Sequence, residues 1–126
     1  MNVPEDLRYS SDHEWARLDG EVVRIGITDF AQDALGDVVF VQVPDVGSAV
    51  KAGDSLGEVE STKSVSDLYA PVSGTVVEVN DSLADAPQSL NDDPYGDGWI
   101  CAIRVSDPAE LDGLLDAGAY RVLIEG

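Results

Sequence analysis

The stretch of sequence that decides the fold is GEVESTKSVSDLYAPVSG, which runs from Gly57 to Gly74. Two short runs of strand-forming residues lie on either side of Lys63, and small hydroxyl residues flank this lysine. The pattern predicts a hairpin with Lys63 in a tight, exposed turn. The chain has 2 lysines against 25 Asp plus Glu, so a lysine at this position suggests a role for its amine.

Short strand signals also dominate the segments on either side of this hairpin. Asp19-Gly20 lies between two alternating runs and predicts a second hairpin over residues 14–27. Thr28 is a suitable cap for a short helix that Gly36 would end. The N-terminal third is therefore predicted to form a β-hairpin followed by a short helix.

The C-terminal third mixes turn and helix signals. Residues Pro87–Leu90 predict a short helical turn, residues 91–98 a loop, and residues Trp99–Val105 a last strand. Ser106-Asp107-Pro108 predicts the start of a helix, because a capping side chain precedes a proline at the first helical position. Gly118 is the expected end of that helix. Its apolar face is formed by Leu111, Leu114 and Leu115. Residues 119–124 are expected to form a final helical turn or two.

An internal echo links the two sides of the Lys63 hairpin. Residues 36–42 and 74–80 both read Gly-x-Val-Val-x-Val-x. The echo continues weakly, with Asp54-Ser55-Leu56 in one copy and Asp81-Ser82-Leu83 in the other. Two similar strand-turn units predict two sheets related by a pseudo-twofold axis.

The charge of the chain excludes whole classes of partner. The formal net charge is −18, and acidic residues are spread along the sequence. No basic surface is available to replace counterions on nucleic acid or to bind an anionic membrane. The dispersed acidity instead suggests a hydrated surface adapted to high salt.

The residues available for catalysis are few. The chain has one His, His13, and one Cys, Cys101, so catalytic triads and imidazole or thiolate metal sites are disfavoured by count. The acidic loop 91–98 lacks the ligand spacing of a calcium-binding loop and is expected to be a solvated turn. A single cysteine forms no disulfide within the chain, and no secretory signal or membrane span is evident, so a cytoplasmic location is expected.

The amine of Lys63 suits an attachment point better than a nucleophile. A lysine that forms Schiff bases requires a desolvated, apolar pocket. An exposed turn with Glu60 and Asp67 nearby favours the charged ammonium instead. We therefore expect a covalent cofactor arm at Lys63, held outward by the turn.

These features together resemble the H-protein family of the glycine cleavage system, whose members carry lipoate. The resemblance covers nearly the whole chain and rests on motifs that occur in order. They are SDHEW at 11–15, GITD at 26–29, AQDALGD at 31–37, GEVESTKSVSD at 57–67, YAPVSG at 69–74, NDDPYGDGW at 91–99 and SDP at 106–108. Many members have Val-Lys-Ala where this chain has Thr62-Lys63-Ser64, which leaves the lysine in place.

The resemblance implies a single lipoyl-carrier domain over residues 1–126. Its fold would be mainly β, a barrel-sandwich hybrid of two antiparallel sheets with short flanking helices and a C-terminal helix. Lys63 would carry the lipoate as N6-lipoyl-lysine. Glu60, Gly74 and Gly47 match positions that the family uses for recognition by the lipoylating enzyme, a lipoate ligase or octanoyltransferase.

The resemblance also implies a carrier without turnover of its own. Its partners would be the pyridoxal-phosphate glycine decarboxylase (P protein), the folate-dependent aminomethyltransferase (T protein) and dihydrolipoyl dehydrogenase (L protein). The aminomethyl group of glycine would pass from the first to the second, and the third would reoxidise the carrier. A cleft on the carrier would shield the loaded arm from water.

Several other carriers remain as alternatives at this stage. A biotin carrier is disfavoured because its lysine lies between methionines, and the one methionine here is Met1. A lipoyl domain of a 2-oxoacid dehydrogenase would lead into a further catalytic domain. An acyl carrier is a helical bundle, although Asp54-Ser55-Leu56 matches its attachment tripeptide. An H-like paralogue with other partners and a β-domain with unmodified Lys63 stay open.

Overall fold

The strands form two antiparallel sheets. The computed structural model describes residues 2–125 of the chain, in which nine strands pair. The larger sheet has the order β1-β2-β3-β9-β8-β5, and the smaller has the order β4-β6-β7. The strands are β1 (Arg8–Tyr9), β2 (Glu14–Asp19), β3 (Val22–Ile27), β4 (Val38–Gln42), β5 (Ala49–Val50), β6 (Ser55–Ser61), β7 (Val65–Tyr69), β8 (Gly74–Val79) and β9 (Cys101–Val105).

One hydrophobic cluster fills the space between the sheets. Alternation along the strands directs one set of apolar side chains inward, as expected for sheets with one solvated face. Buried residues come from both sheets, including Ile25 and Ile103 from the larger sheet and Val59 and Leu68 from the smaller. The predicted fold class, two antiparallel sheets with short helices, is confirmed.

The predicted N-terminal hairpin and helix are both present. Strands β2 and β3 pair through a turn in which Gly20 has a φ of +66°. Helix α1 (Asp29–Leu35) begins after Thr28, whose side chain accepts a hydrogen bond from Ala31 N. Gly36 ends the helix with a φ of +81°, a conformation that favours glycine.

The two copies of the internal echo lie in different sheets. The first copy forms β4 in the smaller sheet, and the second forms β8 in the larger sheet. The weaker extension is not preserved in structure, because residues 54–56 enter β6 whereas Asp81–Ala84 form a 3₁₀ helix. The echo therefore reflects the strands and not the turns that follow them.

The C-terminal region differs from the prediction in its boundaries. Pro108–Gly113 form a 3₁₀ helix capped by the Asp107 side chain, and helix α3 follows at Ala117–Glu125. Gly118 is therefore inside α3 and does not end a helix. The chain extends between the two helices because Tyr9 and Leu115 exchange backbone hydrogen bonds of 2.8 and 2.7 Å.

The segment before the last strand also has different limits. Helix α2 (Ser89–Asp92) includes the first two residues of the predicted loop, and β9 begins two residues after Trp99. A 3₁₀ helix at Asp81–Ala84 precedes α2. None of the helices within residues 2–125 is long and apolar enough to cross a membrane.

The acidic surface has few compensating cations, which leads to a prediction about salt. Two ion pairs form among residues 2–125, Arg24–Glu78 at 3.3 Å and Arg121–Glu5 at 2.7 Å. The remaining carboxylates repel one another, and raising KCl from about 0.1 M to about 1 M shortens the screening length from ~10 Å to ~3 Å. We expect the melting temperature to rise by about 4 °C or more.

Thermal unfolding followed by circular dichroism checks this expectation. Sucrose at matched osmolality serves as the control, because it stabilises by exclusion from the protein surface and does not screen charge. A melting temperature that is the same in low and high KCl would contradict the salt adaptation.

Candidate functional site

The tip of the β6–β7 hairpin presents Lys63 on a rigid backbone. Ser61 N donates to Ser64 O at 2.8 Å, and Ser61 Oγ accepts from the backbone N–H groups of Lys63 and Ser64 at 3.2 and 3.1 Å. Thr62 N donates to Asp37 O at 3.1 Å, which ties the tip to the chain just before β4. Lys63 itself is exposed, so the predicted exposed turn lysine is confirmed.

The stem of Lys63 lies across Gly36 at the end of α1. A Cβ atom at Gly36 would be 2.9 Å from Lys63 Cε and 3.5 Å from Nζ, so the missing side chain leaves room for the lysyl stem. Asn91 fixes this position, because its Nδ2 donates to Gly36 O at 2.8 Å and its Oδ1 accepts from Val38 N at 2.8 Å. Sequence reasoning had identified Gly36 as a helix end and as the start of the internal echo, but not as a neighbour of Lys63.

A cleft of about 290 Å³ lies next to the hairpin, between it and α1. Its lining combines apolar side chains of α1 with polar groups of the hairpin and of the β1–β2 loop. The His13 ring contacts the Phe30 ring there, with a centroid distance of 4.8 Å. The lining residues are Asp12, His13, Phe30, Ala31, Ala34, Leu35, Ser64, Val65 and Ser66.

Glu14 is a buried carboxylate that ties the β1–β2 loop to the smaller sheet. Its Oε1 accepts from Ser10 Oγ at 2.7 Å, and its Oε2 accepts from Tyr69 N at 3.1 Å. Burial raises the pKa of Glu14 to about 7, and the hydrogen bonds from Ser10 and Tyr69 oppose that rise. Sequence reasoning missed this role, because nothing local distinguishes Glu14 from a solvated strand residue.

His13 has a structural role at the edge of the cleft. It adopts a φ of +69°, and its Nδ1 is 2.8 Å from Tyr120 Oη, which in turn is 2.7 Å from Thr28 Oγ1. Burial lowers the pKa of His13, so its imidazole is neutral near pH 7. This chain of hydrogen bonds fastens α3 to the start of α1.

The other predicted site residues divide between the two sheets. Glu60 lies on β6, three residues before Lys63, and pairs with Phe40 and Val65. Gly74 and Gly47 lie by the larger sheet and pair with neither strand of the hairpin. A side chain at Gly74 would collide with Arg104 O, and Gly47 has a φ of +96°. The local structure therefore favours glycine at both positions, independently of any role in recognition.

Elsewhere on the described residues, neither the largest group of acids nor the second lysine forms a reactive site. A larger open cavity of about 640 Å³ adjoins Lys51, but the carboxylate beside it, Glu110, accepts from Ser73 N and Oγ at 2.9 and 3.0 Å. That carboxylate therefore stabilises a turn. Within residues 2–125 no group of three or more His, Cys, Asp or Glu side chains could hold a metal ion. The cleft beside Lys63 is a better candidate functional site than the cavity beside Lys51, because the hairpin that carries Lys63 forms one of its walls.

Comparison with known proteins gives a match over nearly the whole chain. A family model described as glycine cleavage H-protein matches residues 7–126. The chain belongs to this family. Members of the H-protein family carry lipoate, and membership assigns this chain the lipoyl-carrier role in the glycine cleavage system.

Individual H proteins match over nearly their full length. Glycine cleavage system H protein from Anaeromyxobacter sp. (strain K) is 58% identical, with 99% of this chain and 98% of the relative covered. The protein of that name from Mycobacterium avium (strain 104) is 62% identical, with 95% of each covered. The crystal structure of a glycine cleavage system H protein from Mycobacterium marinum has a TM-score of 0.90 at 46% identity, covering 98% of this chain and 100% of that one.

Proposed function

We propose that Lys63 is the residue that carries lipoate, as N6-lipoyl-lysine. The observation that supports this proposal is the geometry of the hairpin tip. Ser61 holds the turn backbone through four hydrogen bonds, while the lysine occupies an exposed position. The other lysine, Lys51, begins a different turn, in which its N–H donates to Asp54 Oδ2 at 2.9 Å and its carbonyl accepts from Asp54 N at 2.9 Å. That turn joins β5 to β6, which do not pair with each other, so Lys51 does not lie at a hairpin tip.

In this proposal the chain is a carrier and the chemistry takes place in partner enzymes. These partners are glycine decarboxylase (P protein), the aminomethyltransferase (T protein) and dihydrolipoyl dehydrogenase (L protein). When attached, lipoate supplies a disulfide that accepts the aminomethyl group and is later reoxidised. The rigid turn fixes where the arm leaves the protein, and tethering raises its effective concentration at each partner.

The cleft between the hairpin and α1 is suited to hold the arm between visits to the partners. Phe30 and Leu35 offer apolar contact for a hydrocarbon chain, and Asp12, Ser64 and Ser66 offer polar contacts at the rim. Gly36 leaves the lysyl stem free to lie against α1, on the same side as the cleft. The residues of this chain would thus orient the arm and exclude water from its loaded end.

Recognition by a lipoate ligase or octanoyltransferase is the proposed role of Glu60, Gly74 and Gly47. Glu60 is the member of this set that lies on the hairpin with Lys63. We also propose that residues 1–126 form one carrier domain and that it acts in the cytoplasm. The buried thiol of Cys101 agrees with a reducing compartment, since nothing in residues 2–125 pairs with it.

The deciding experiment is the intact mass of the protein from a host that lipoylates its own proteins. We expect one lipoyl increment, mapped by peptide analysis to Lys63 and absent in Lys63→Arg. Lys51→Arg is the matched control and should keep the full increment. An unmodified Lys63 in cells that lipoylate other proteins would refute the proposal.

A further inference from the structure

Lys63 is positioned by its backbone and its carbon stem, and not by a partner for its charge. Neither of the two ion pairs that form within residues 2–125 involves Lys63. Its Cε atom lies 2.9 Å from the position that a Cβ atom would take at Gly36, so the stem packs on a glycine backbone. Beside this contact, Thr62 N donates to Asp37 O at 3.1 Å. Because these contacts do not use the charge of the amine, they can persist when the amine becomes an amide.

The residues beneath the lysine, Gly36, Asp37 and Val38, are called the lysyl seat below. Gly36 must lack a side chain, since a Cβ atom there would overlap the lysyl stem. Its φ of +81° and ψ of −156° lie in a region that is essentially reserved for glycine. A glycine backbone has more conformational freedom than that of any other residue, so the seat needs a restraint from elsewhere in the fold.

The side-chain amide of Asn91 supplies that restraint. Its Nδ2 donates to Gly36 O at 2.8 Å and its Oδ1 accepts from Val38 N at 2.8 Å, so one amide spans both ends of the seat. The two backbone groups fix which way the amide points, because a carbonyl oxygen only accepts and an N–H only donates. Nδ2 also donates to Gln32 Oε1 at 3.1 Å, which ties the seat to α1.

The short helix α2 holds Asn91 in place. Leu90, its neighbour in the chain, is fully buried in the cluster between the sheets. Asn91 N donates to Gln88 O at 2.9 Å, and Asp93 N donates to Ser89 O at 2.9 Å. The amide therefore reaches the seat from a support that is anchored in the core.

We infer that Asn91 is a positioning residue for the arm, an inference that rests on the proposed function. It acts through the seat and does not itself touch the lipoyl group. By holding Gly36, it keeps the stem of Lys63 against the end of α1, on the side where the cleft opens. An arm that already starts in this direction loses less conformational entropy when it enters the cleft. Without the amide, the stem would leave Gly36 and the arm would start toward solvent.

Nuclear Overhauser effects between the Lys63 Hε and Gly36 Hα protons measure this contact in the unmodified protein. The chain has 2 lysines, so their signals can be assigned separately. We expect the effects in wild type, and we expect them to fall to about a third or less in Asn91→Asp and in Asn91→Ala. Aspartate sets a carboxylate oxygen against the Gly36 carbonyl, and alanine removes the bonds without adding charge. Gln32→Ala removes one partner of the amide and should give a smaller reduction; an unchanged signal there would count against the inference.

Asn80 provides the matched control, because its side-chain amide forms a similar bridge away from the hairpin. Its Nδ2 donates to Asp97 O at 2.9 Å and to Trp99 O at 2.7 Å, and its Oδ1 accepts from Ser82 Oγ at 2.6 Å. Asn80→Asp and Asn80→Ala should also lower stability, yet keep the effects between Lys63 and Gly36. Circular dichroism of each variant confirms that the fold is intact.

A second measurement follows the loaded arm. Lipoylated protein is loaded by purified glycine decarboxylase with glycine labelled at its methylene carbon, and is then separated from that enzyme. Water slowly replaces the sulfur at this carbon, and loss of ammonia leaves labelled formaldehyde. Its rate of release follows the fraction of arms outside the cleft, so we expect release about threefold faster in the Asn91 variants and unchanged in the Asn80 variants.

The possible outcomes separate this inference from the proposed function. Wild-type protein that is never lipoylated at Lys63 would overturn both. Lipoylated wild type with unchanged Overhauser effects in the Asn91 variants would overturn the positioning role alone. An equal loss in the Asn80 variants would also overturn it, because the change would then be a general loosening of the fold. Lost effects with unchanged formaldehyde release in the Asn91 variants would do the same, since the position of the stem would not govern the arm.

Discussion

Replacing Trp15 with alanine should lower the free energy of unfolding by about 3–5 kcal/mol, the range for truncating a buried aromatic side chain. Trp15 is fully buried in a second hydrophobic cluster with Tyr9 and Tyr120. Its indole lies directly over Gly26 on the paired strand, where a Cβ atom would be 2.7 Å from the ring. Gly26 has no side chain that could fill the cavity that alanine would leave.

The indole also anchors the loop that precedes β9. Trp15 Nε1 donates to Pro94 O at 2.8 Å, which fastens residues 93–98 to the larger sheet. Trp15→Phe keeps most of the ring but leaves that buried carbonyl without its donor, so we expect a smaller loss of about 1–3 kcal/mol. The free energy of unfolding should increase in the order Trp15→Ala, Trp15→Phe, wild type. The difference between the two variants reflects packing, and the difference between Trp15→Phe and wild type reflects mainly the hydrogen bond.

Urea unfolding followed by far-ultraviolet circular dichroism measures both variants. This signal comes mainly from the backbone, so it follows unfolding in both variants without relying on tryptophan fluorescence. The denaturant slope should stay constant if only stability changes. A loss below about 1 kcal/mol for Trp15→Ala would mean that the second cluster can repack and that Trp15 does not hold the loop.

The parts of the fold that follow from local sequence were the parts that could be predicted. The β2–β3 hairpin depends on Asp19-Gly20, helix α1 on Thr28 and Gly36, and the Lys63 turn on the residues immediately around it. In each case the signal and the structure that it forms lie within a few residues of one another. Backbone preference and side-chain capping are then enough to determine the element.

Features that depend on distant contacts could not be predicted in the same way. Asn91 binds Gly36 across 55 residues, and Glu14 binds Tyr69 N across 55 residues. Neither residue differs locally from an ordinary polar surface residue. The assignment of Gly118 as a helix end failed for the same reason, because pairing between Tyr9 and Leu115 interrupts the helix earlier. The register shift between Val38 and Phe40, which leaves Phe40 exposed, likewise depends on pairing with β6.

The stability of the protein should carry a pH signature of Glu14. Burial holds the pKa of Glu14 near 7 in the folded protein, against an ordinary value of 4.5. The folded state therefore binds the proton more tightly than the unfolded state does. The stabilisation from the protonated carboxyl is complete below about pH 4.5 and is lost as the pH rises through about 7.

Glu14→Gln should remove this pH dependence, because glutamine keeps the shape of the side chain and has no proton to lose. Its amide oxygen can accept from Tyr69 N, and its amide nitrogen can donate to Ser10 Oγ. The free energy of unfolding of wild type minus that of Glu14→Gln should then fall by on the order of 3 kcal/mol between pH 4.5 and pH 8.

The difference between the two proteins is the useful quantity, since His13 titrates nearby with the opposite effect. Burial lowers the pKa of His13, so its contribution to stability increases with pH through the same range. Both proteins contain His13, and subtraction removes most of its contribution. Urea unfolding at several pH values supplies the curve, with Glu21→Gln as a control at an exposed carboxylate.

A parallel pair of curves for wild type and Glu14→Gln would show that the pKa of Glu14 is the same in the folded and unfolded states. In that case the hydrogen bonds from Ser10 Oγ and Tyr69 N would offset the effect of burial. A wild-type curve that falls relative to that of Glu14→Gln as the pH rises would instead locate a carboxyl that changes charge near neutral pH beneath β7. Tyr69 belongs to β7, the strand that follows Lys63 in the hairpin. The charge change would therefore alter a hydrogen bond that holds this hairpin against the rest of the protein.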